Sequence, residues 1–267
     1  MARCILCDEP FGPGRKRTRE HVFPEWLEKL FVPEADEPLV PYIQRFQARG
    51  EALGQHEWRD IPFNLVVRAV CEPCNTGWGS EIENEVKPIL MPLIADQPIL
   101  LDPSQQASLA VWATKTLLML QLIHRQKQSI PLKWFHWFRR HRWPLPSEQI
   151  WIARYDGTGD WPIHYAQYGM SILKAPVADT PHHVNAHAAT IGVGHLVFVM
   201  FGHMIENGPR ARTMAGTNSA AAMRAIWPTL GDAVAFPPAG IVVGDGGLRA
   251  MLDAFGDAKD FRASAGP

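Results

Sequence analysis

Two short stretches decide how this chain is read: "CILC" at residues 4–7 and "VCEPCN" at residues 70–75. Each contains the spacing C-x2-C, and together they use all four cysteines of the 267-residue chain. A C-x2-C turn aims two thiolates at one ion. Two such turns complete a tetrahedral four-sulfur shell, the preferred shell of structural zinc. Cys4, Cys7, Cys71 and Cys74 are therefore the expected zinc ligands. Four thiolates leave zinc no open position, so this metal is expected to hold structure and not to perform chemistry. The alternatives are four buried free thiols or an iron–sulfur cluster, although nothing else in the chain suggests redox work.

Composition supports the metal reading. The start, "MARCILCDEP", is too short and polar for a secretory leader, and no run of about 18 apolar residues occurs. A cytoplasmic protein with no membrane partner is expected, and disulfides rarely persist there. A metal that joins distant segments suits a small unit with little core of its own.

Between the two cysteine pairs lies "TREHVFPEWLEKLF" (18–31). Residues 18–23 have strand-like content that stops at Pro24. Residues 25–31 read as a short helix with Trp26, Leu27, Leu30 and Phe31 on its apolar face. After the second pair, "NTGWGSEIENEVKPILMPLIA" (75–95) places Trp78, Ile82, Val86 and Ile89 at helical spacing. Gly77 and Gly79 make its first turn irregular.

Taken together, "CILC", "TREHVFPEWL" and "VCEPCNTGWGSEIE" resemble an HNH endonuclease of the zinc-knuckle type, with the order CxxC, EHxxP, CxxCN. The resemblance covers residues 1–95. It implies a zinc-stapled ββα-metal core that hydrolyses phosphodiester bonds. In such enzymes the strand histidine is the general base, so His21 would activate water, a task suited to imidazole near neutral pH. Glu20 beside it and Asn75 at the helix start would hold a catalytic divalent ion. Mg²⁺ or Mn²⁺ suits such oxygen ligands. Asn64 is the candidate for the middle asparagine that orients the base, or equally a loop residue. Glu83 and Glu81 either reach the metal through water or serve as partners of the helix dipole.

Charge both supports and complicates nucleic-acid binding. Residues 1–95 carry 11 Lys and Arg against 15 Asp and Glu, a net of −4. The local run Arg15, Lys16, Arg17 and Arg19 is the exception, and it leads into the catalytic strand. Residues 115–154 carry 8 Lys and Arg against a single Glu, a net of +7. Arg139, Arg140 and Arg142 in "KWFHWFRRHRW" interleave with aromatics, as a nucleic-acid contact would. The same pattern fits an amphipathic helix with solvated arginines.

The remainder, residues 96–267, reads as an α+β domain. Helices are expected over 104–126 and 131–142, within a basic helical segment spanning 103–142. Strand-like runs follow at 149–156, 162–173, 183–194 and 195–204, suggesting an antiparallel sheet. "NSAAAMRAIWP" (218–228) and "GGLRAMLDAF" (246–255) read as terminal helices. Residues 32–59 interrupt the nuclease-like motif, as a strand, a short helix or a loop facing substrate. The histidines at 182, 183, 187, 195 and 203 lack a metal-binding pattern.

The expected function is thus a metal-dependent endonuclease acting on nucleic acid, DNA in first place. Two other readings compete. One is a non-catalytic zinc-binding module that docks nucleic acid or protein. The other is a nuclease effector activated only by a partner on the C-terminal domain. A homodimer is compatible with cutting both strands.

Overall fold

The computed structural model describes residues 2–31, 40–48, 51–60, 65–123, 130–156, 163–171, 185–203, 222–238 and 243–244. Helices and strands mix as an α+β arrangement. β1 (Glu20–His21) is followed by α1 (Glu25–Glu28), β2 (Val40–Ala48), β3 (Glu51–Asp60) and β4 (Val66–Val67). A wide helical turn, Pro73–Gly79, leads into α2 (Ser80–Ile94). Then come β5 (Ile99–Leu101), α3 (Pro103–Leu120), α4 (Leu132–His141), β6 (Gln149–Arg154) and β7 (Ile163–Ser171). β8 (Ala186–Val193), β9 (Leu196–His203), β10 (Met223–Trp227) and β11 (Val234–Phe236) complete the order.

α3 is the axis of the molecule. Asp102 accepts a hydrogen bond from the Gln105 amide at 2.9 Å, and the Gln105 side chain accepts from the Asp102 amide at 3.0 Å. This reciprocal cap satisfies two amides that the first turn leaves unpaired, and Pro103 suits the position that follows. Every residue from Leu109 to Leu120 is buried, polar ones included. A helix buried all round packs against other layers on several sides. Its Trp112 ring meets Phe198 of β9 at 5.6 Å, so the helix lies on the large sheet.

That sheet has seven strands in the order β10-β6-β9-β8-β7-β2-β3. Its pairs are antiparallel except β2 with β7, which run parallel. The strands expected over 149–204 pair antiparallel with one another, as anticipated, and the parallel pair comes from β2, a segment outside that expectation. β2 and β3 form a long hairpin that adds two strands beside β7, so the sheet unites residues on both sides of position 95. The expectation that 218–228 form a helix is corrected. Met223–Trp227 is a strand paired with β6. Ala, Met and Arg favour helix locally, but the open edge of β6 supplies backbone partners, and tertiary pairing overrides weak propensity. The strand-like run at 18–23 shrinks to the two residues of β1.

β8 and β9 are buried along their whole length on both faces. One face joins α2 and α3 in a continuous apolar core that runs from Cys4 and Leu27 through Val86 and Leu117 to Phe198. Each fully buried Leu or Phe there contributes roughly 1.5–3 kcal/mol. The helix expected at 246–255 lies outside the described residues, as do Asn64, His182 and His183.

Candidate functional site

The site is assembled from three pieces of chain. Residues 2–21 lie against residues 65–79, and α3 backs them both. The Ile5 amide donates to the Ala69 carbonyl at 2.9 Å and the Thr18 amide to the Val70 carbonyl at 3.0 Å. These bonds bring the two C-x2-C turns together. The four sulfurs lie within 4.8 Å of one another, so they can hold one metal ion. Cys4, Cys71 and Cys74 are buried, and Cys7 is partly so. The Cys71 amide donates to the Cys4 sulfur at 3.3 Å, as expected where a knuckle stabilises thiolate. The hydrogen bond from Cys74 holds the Cys4 thiol down at about 4, while the same pairing pushes Cys74 up. Burial also pushes the Cys7 thiol up, so without a cation the cluster favours thiolate at Cys4 and not at Cys7 or Cys74; thiolate is the form that binds metal.

Two arginines attend these sulfurs. Arg15 Nη1 donates to Cys7 at 3.6 Å. Arg139 hydrogen-bonds Cys74, which counteracts the upward push on that thiol. Its guanidinium also lies 5.1 Å from the centre of the Trp78 ring. Trp78 is buried and meets Phe138 edge-on at 5.7 Å. The wide helical turn beneath requires glycine at its end: a Cβ on Gly79 would stand 2.8 Å from the Cys74 carbonyl oxygen. Hence the "GWG" in "CNTGWGS" is the geometry of a knuckle running into a helix.

Asn75 fastens the turn to the strand. Its side-chain nitrogen donates to Thr18 Oγ1 at 3.1 Å and to the Arg19 carbonyl at 3.2 Å. β1 then pairs antiparallel with β4, Glu20 facing Val67 and His21 facing Val66. Neighbouring strand residues point to opposite faces. Glu20 and Val67 point inward and are buried, whereas His21 and Val66 are only partly so. Directly paired residues share a face, so His21 lies on the face of Val66. A cleft of about 360 Å³ lies alongside β4, lined by Arg19, Leu65, Val66, Val67, Arg68 and Leu122 among others, and His21 is not part of its lining. His21 Nδ1 lies 3.4 Å from Glu25 Oε1. Glu25 is largely exposed, so this is a surface pair. The sequence reading missed both Glu25 and Arg68. Glu25 carried a usable signal, four residues beyond His21 at the start of a helix. Arg68 carried none.

Glu20 is engaged on the inner face. Lys115 Nζ lies 2.5 Å from Glu20 Oε1 and 2.5 Å from Glu83 Oε1. Burial pushes the Glu20 carboxyl up, and Lys115 pulls the other way. Burial alone would lower Lys115, but Glu20 and Glu83 together hold it above its ordinary value. One ammonium between two carboxylates thus stays charged.

The expected ligands of a catalytic divalent ion do not fit one in this arrangement. The Glu20 carboxylate is taken by Lys115, and Asn75 turns its amide nitrogen into the strand. Among the described residues, the four cysteines are the group of three or more metal-ligating Cys, His, Asp or Glu side chains close enough to share an ion. A divalent ion about 4 Å from the ammonium would be repelled by about 8 kcal/mol at an effective dielectric of 20.

The basic residues divide along similar lines. Lys115, counted above with the positive segment, is buried in ion pairs. Arg154 is held by Asp96 through two hydrogen bonds of 2.7 and 2.6 Å. Arg142 pairs with Glu81 at 2.9 Å, and Arg17 covers the Phe11 ring at 4.8 Å. Lys16, Arg19 and Arg140 are exposed. No family model, curated protein or solved structure matches this chain.

Proposed function

We propose that this chain hydrolyses phosphodiester bonds of nucleic acid, DNA in first place, in the manner of the HNH endonucleases its motifs resemble. The four cysteines hold structural zinc, the ion that prefers a closed tetrahedral thiolate shell. His21 supplies the chemistry. Its Nε2 takes a proton from water, the water oxygen attacks phosphorus, and the departing oxygen leaves as the phosphodiester bond breaks. Arg19 and Arg68 meet the phosphate and offset charge that builds on its oxygens. The observation that carries this reading is His21 itself. It is partly exposed on a ribbon between zinc knuckle and helix, with Glu25 Oε1 3.4 Å from its Nδ1. The resemblance also implies Mg²⁺ or Mn²⁺ at Glu20 and Asn75. Those donors are otherwise engaged, Glu20 by Lys115 and Asn75 by Thr18 and the Arg19 carbonyl.

One observation favours a second reading, a non-catalytic zinc-binding module. Glu20, expected to serve chemistry, is buried in an ion pair.

Cleavage of supercoiled plasmid separates the two. Wild type and His21→Ala are compared after elemental analysis shows one zinc in each. The nuclease reading expects nicking by the wild type and a loss of roughly 10²–10⁴-fold in the variant. Equal cutting by both, or none by either, supports the binding module.

A further inference from the structure

Lys115 sits where three elements converge. It projects from the central helix α3 and meets Glu20 of β1 and Glu83 of α2 at 2.5 Å each. Its own side chain and that of Glu20 are each 4% exposed. Its Cε passes 3.9 Å from the position a Gly79 Cβ would take. The lysine stem thus threads beside the knuckle helix to reach the acidic pair. Two carboxylates brought to one buried point repel unless a cation lies between them. In oxygen-ligand sites that cation is commonly a divalent metal. Here the chain provides an ammonium of its own.

We propose that Lys115 is the resident cation of this site, filling the seat between Glu20 and Glu83 and excluding a divalent ion from that pair. Lys115 is a positioning residue, because its ammonium is buried against Glu20 and Glu83. It fixes Glu20 on the inner face of β1 and thereby holds His21 on the outer face. Such a site has a structural zinc and an internal ammonium, and it needs no exchangeable Mg²⁺ or Mn²⁺ at Glu20. The inference deepens the proposed nuclease reading, but the seat itself is tested without any cleavage.

The test is Mn²⁺ binding to zinc-loaded protein, followed by electron paramagnetic resonance of the free ion. Wild type is expected to bind no Mn²⁺. Lys115→Ala is expected to gain one Mn²⁺ per chain, and the added change Glu20→Gln to abolish it. A folded Lys115→Ala protein that takes up no Mn²⁺ overturns the proposal. So does a wild-type site that Glu20→Gln removes. If Lys115→Ala fails to fold, the wild type and the single Glu20→Gln variant still decide the matter, since a Mn²⁺ site in the first and not the second overturns it. Plasmid cleavage is read separately, so an inactive protein that binds as expected refutes the nuclease reading and leaves the seat intact.

Discussion

Lys115 Nζ and Glu20 Oε1 stand 2.5 Å apart, an ion pair that ties the centre of the main helix to the strand bearing His21. Removing one partner of a buried pair leaves an uncompensated charge. Lys115→Met is therefore expected to lose about 3–5 kcal/mol of stability. Adding Glu20→Gln should recover part of that loss. Urea denaturation of the single and double variants measures the coupling, and strictly additive losses would contradict the pairing.

The same cluster sets a pH dependence. Lys115 is raised above its ordinary 10.5 in the folded state. Its contribution is fully present below 10.5 and disappears as pH rises through the higher folded value. The stability gap between wild type and Lys115→Met should be constant near neutrality and close only in strong alkali. Glu20 is raised from its ordinary 4.5 by burial. The folded state thus holds that proton more tightly, so the cost of ionising Glu20 is relieved as pH falls towards 4.5. Relative to Glu20→Gln, wild type should gain stability on mild acidification. A difference between the two that does not vary with pH would rule this out.

Removing metal should loosen a defined part of the molecule. The amides of Ile5 and Thr18 bond across to Ala69 and Val70, and these bonds lie beside the cysteine cluster. Chelation, or Cys71→Ser, is expected to speed hydrogen exchange at Ile5 and Thr18 first. Amides in β8 and β9 should respond later, because their strands are paired on both sides. Unchanged exchange at Ile5 would show that the cysteines staple nothing.

The arginines should behave unequally towards DNA. Arg19→Glu and Arg140→Glu act on exposed charges. Each is expected to weaken binding and to lower the salt slope by about 1. Arg142 is exposed but paired with Glu81, and a surface pair of this kind is worth about 0–1 kcal/mol, so Arg142→Glu should have a smaller effect. Arg139→Glu should instead destabilise the fold, because it places an anion over Trp78 and beside Cys74. Salt-dependent binding isotherms and melting curves distinguish these cases. Equal binding losses at all four positions, with equal melting temperatures, would undo the assignment.

Much of the local structure was legible. The helix expected from 104, the helix after Cys74 and the four strand-like runs from 149 to 204 are written in apolar spacing and turn residues, and they form. The 223–227 strand was not legible, because its residues favour helix in isolation and only the edge of β6 makes them a strand. The parallel pairing of β2 with β7 was equally hidden, since it joins segments that nothing in their spacing relates. At the site, the two cysteine pairs named each other by their spacing. Lys115 did not name Glu20: a lysine in a positive segment reads as solvated until packing buries it.

By itself, then, the sequence determined that four cysteines form one cluster and that Glu20 and His21 share a strand beside it, because ligand spacing and strand alternation are local rules. Which of the two faces water was decided by the tertiary structure alone. The packing of α3 brings Lys115 against Glu20 and Glu83 on the inner face of β1, and strand alternation leaves His21 partly exposed on the other face.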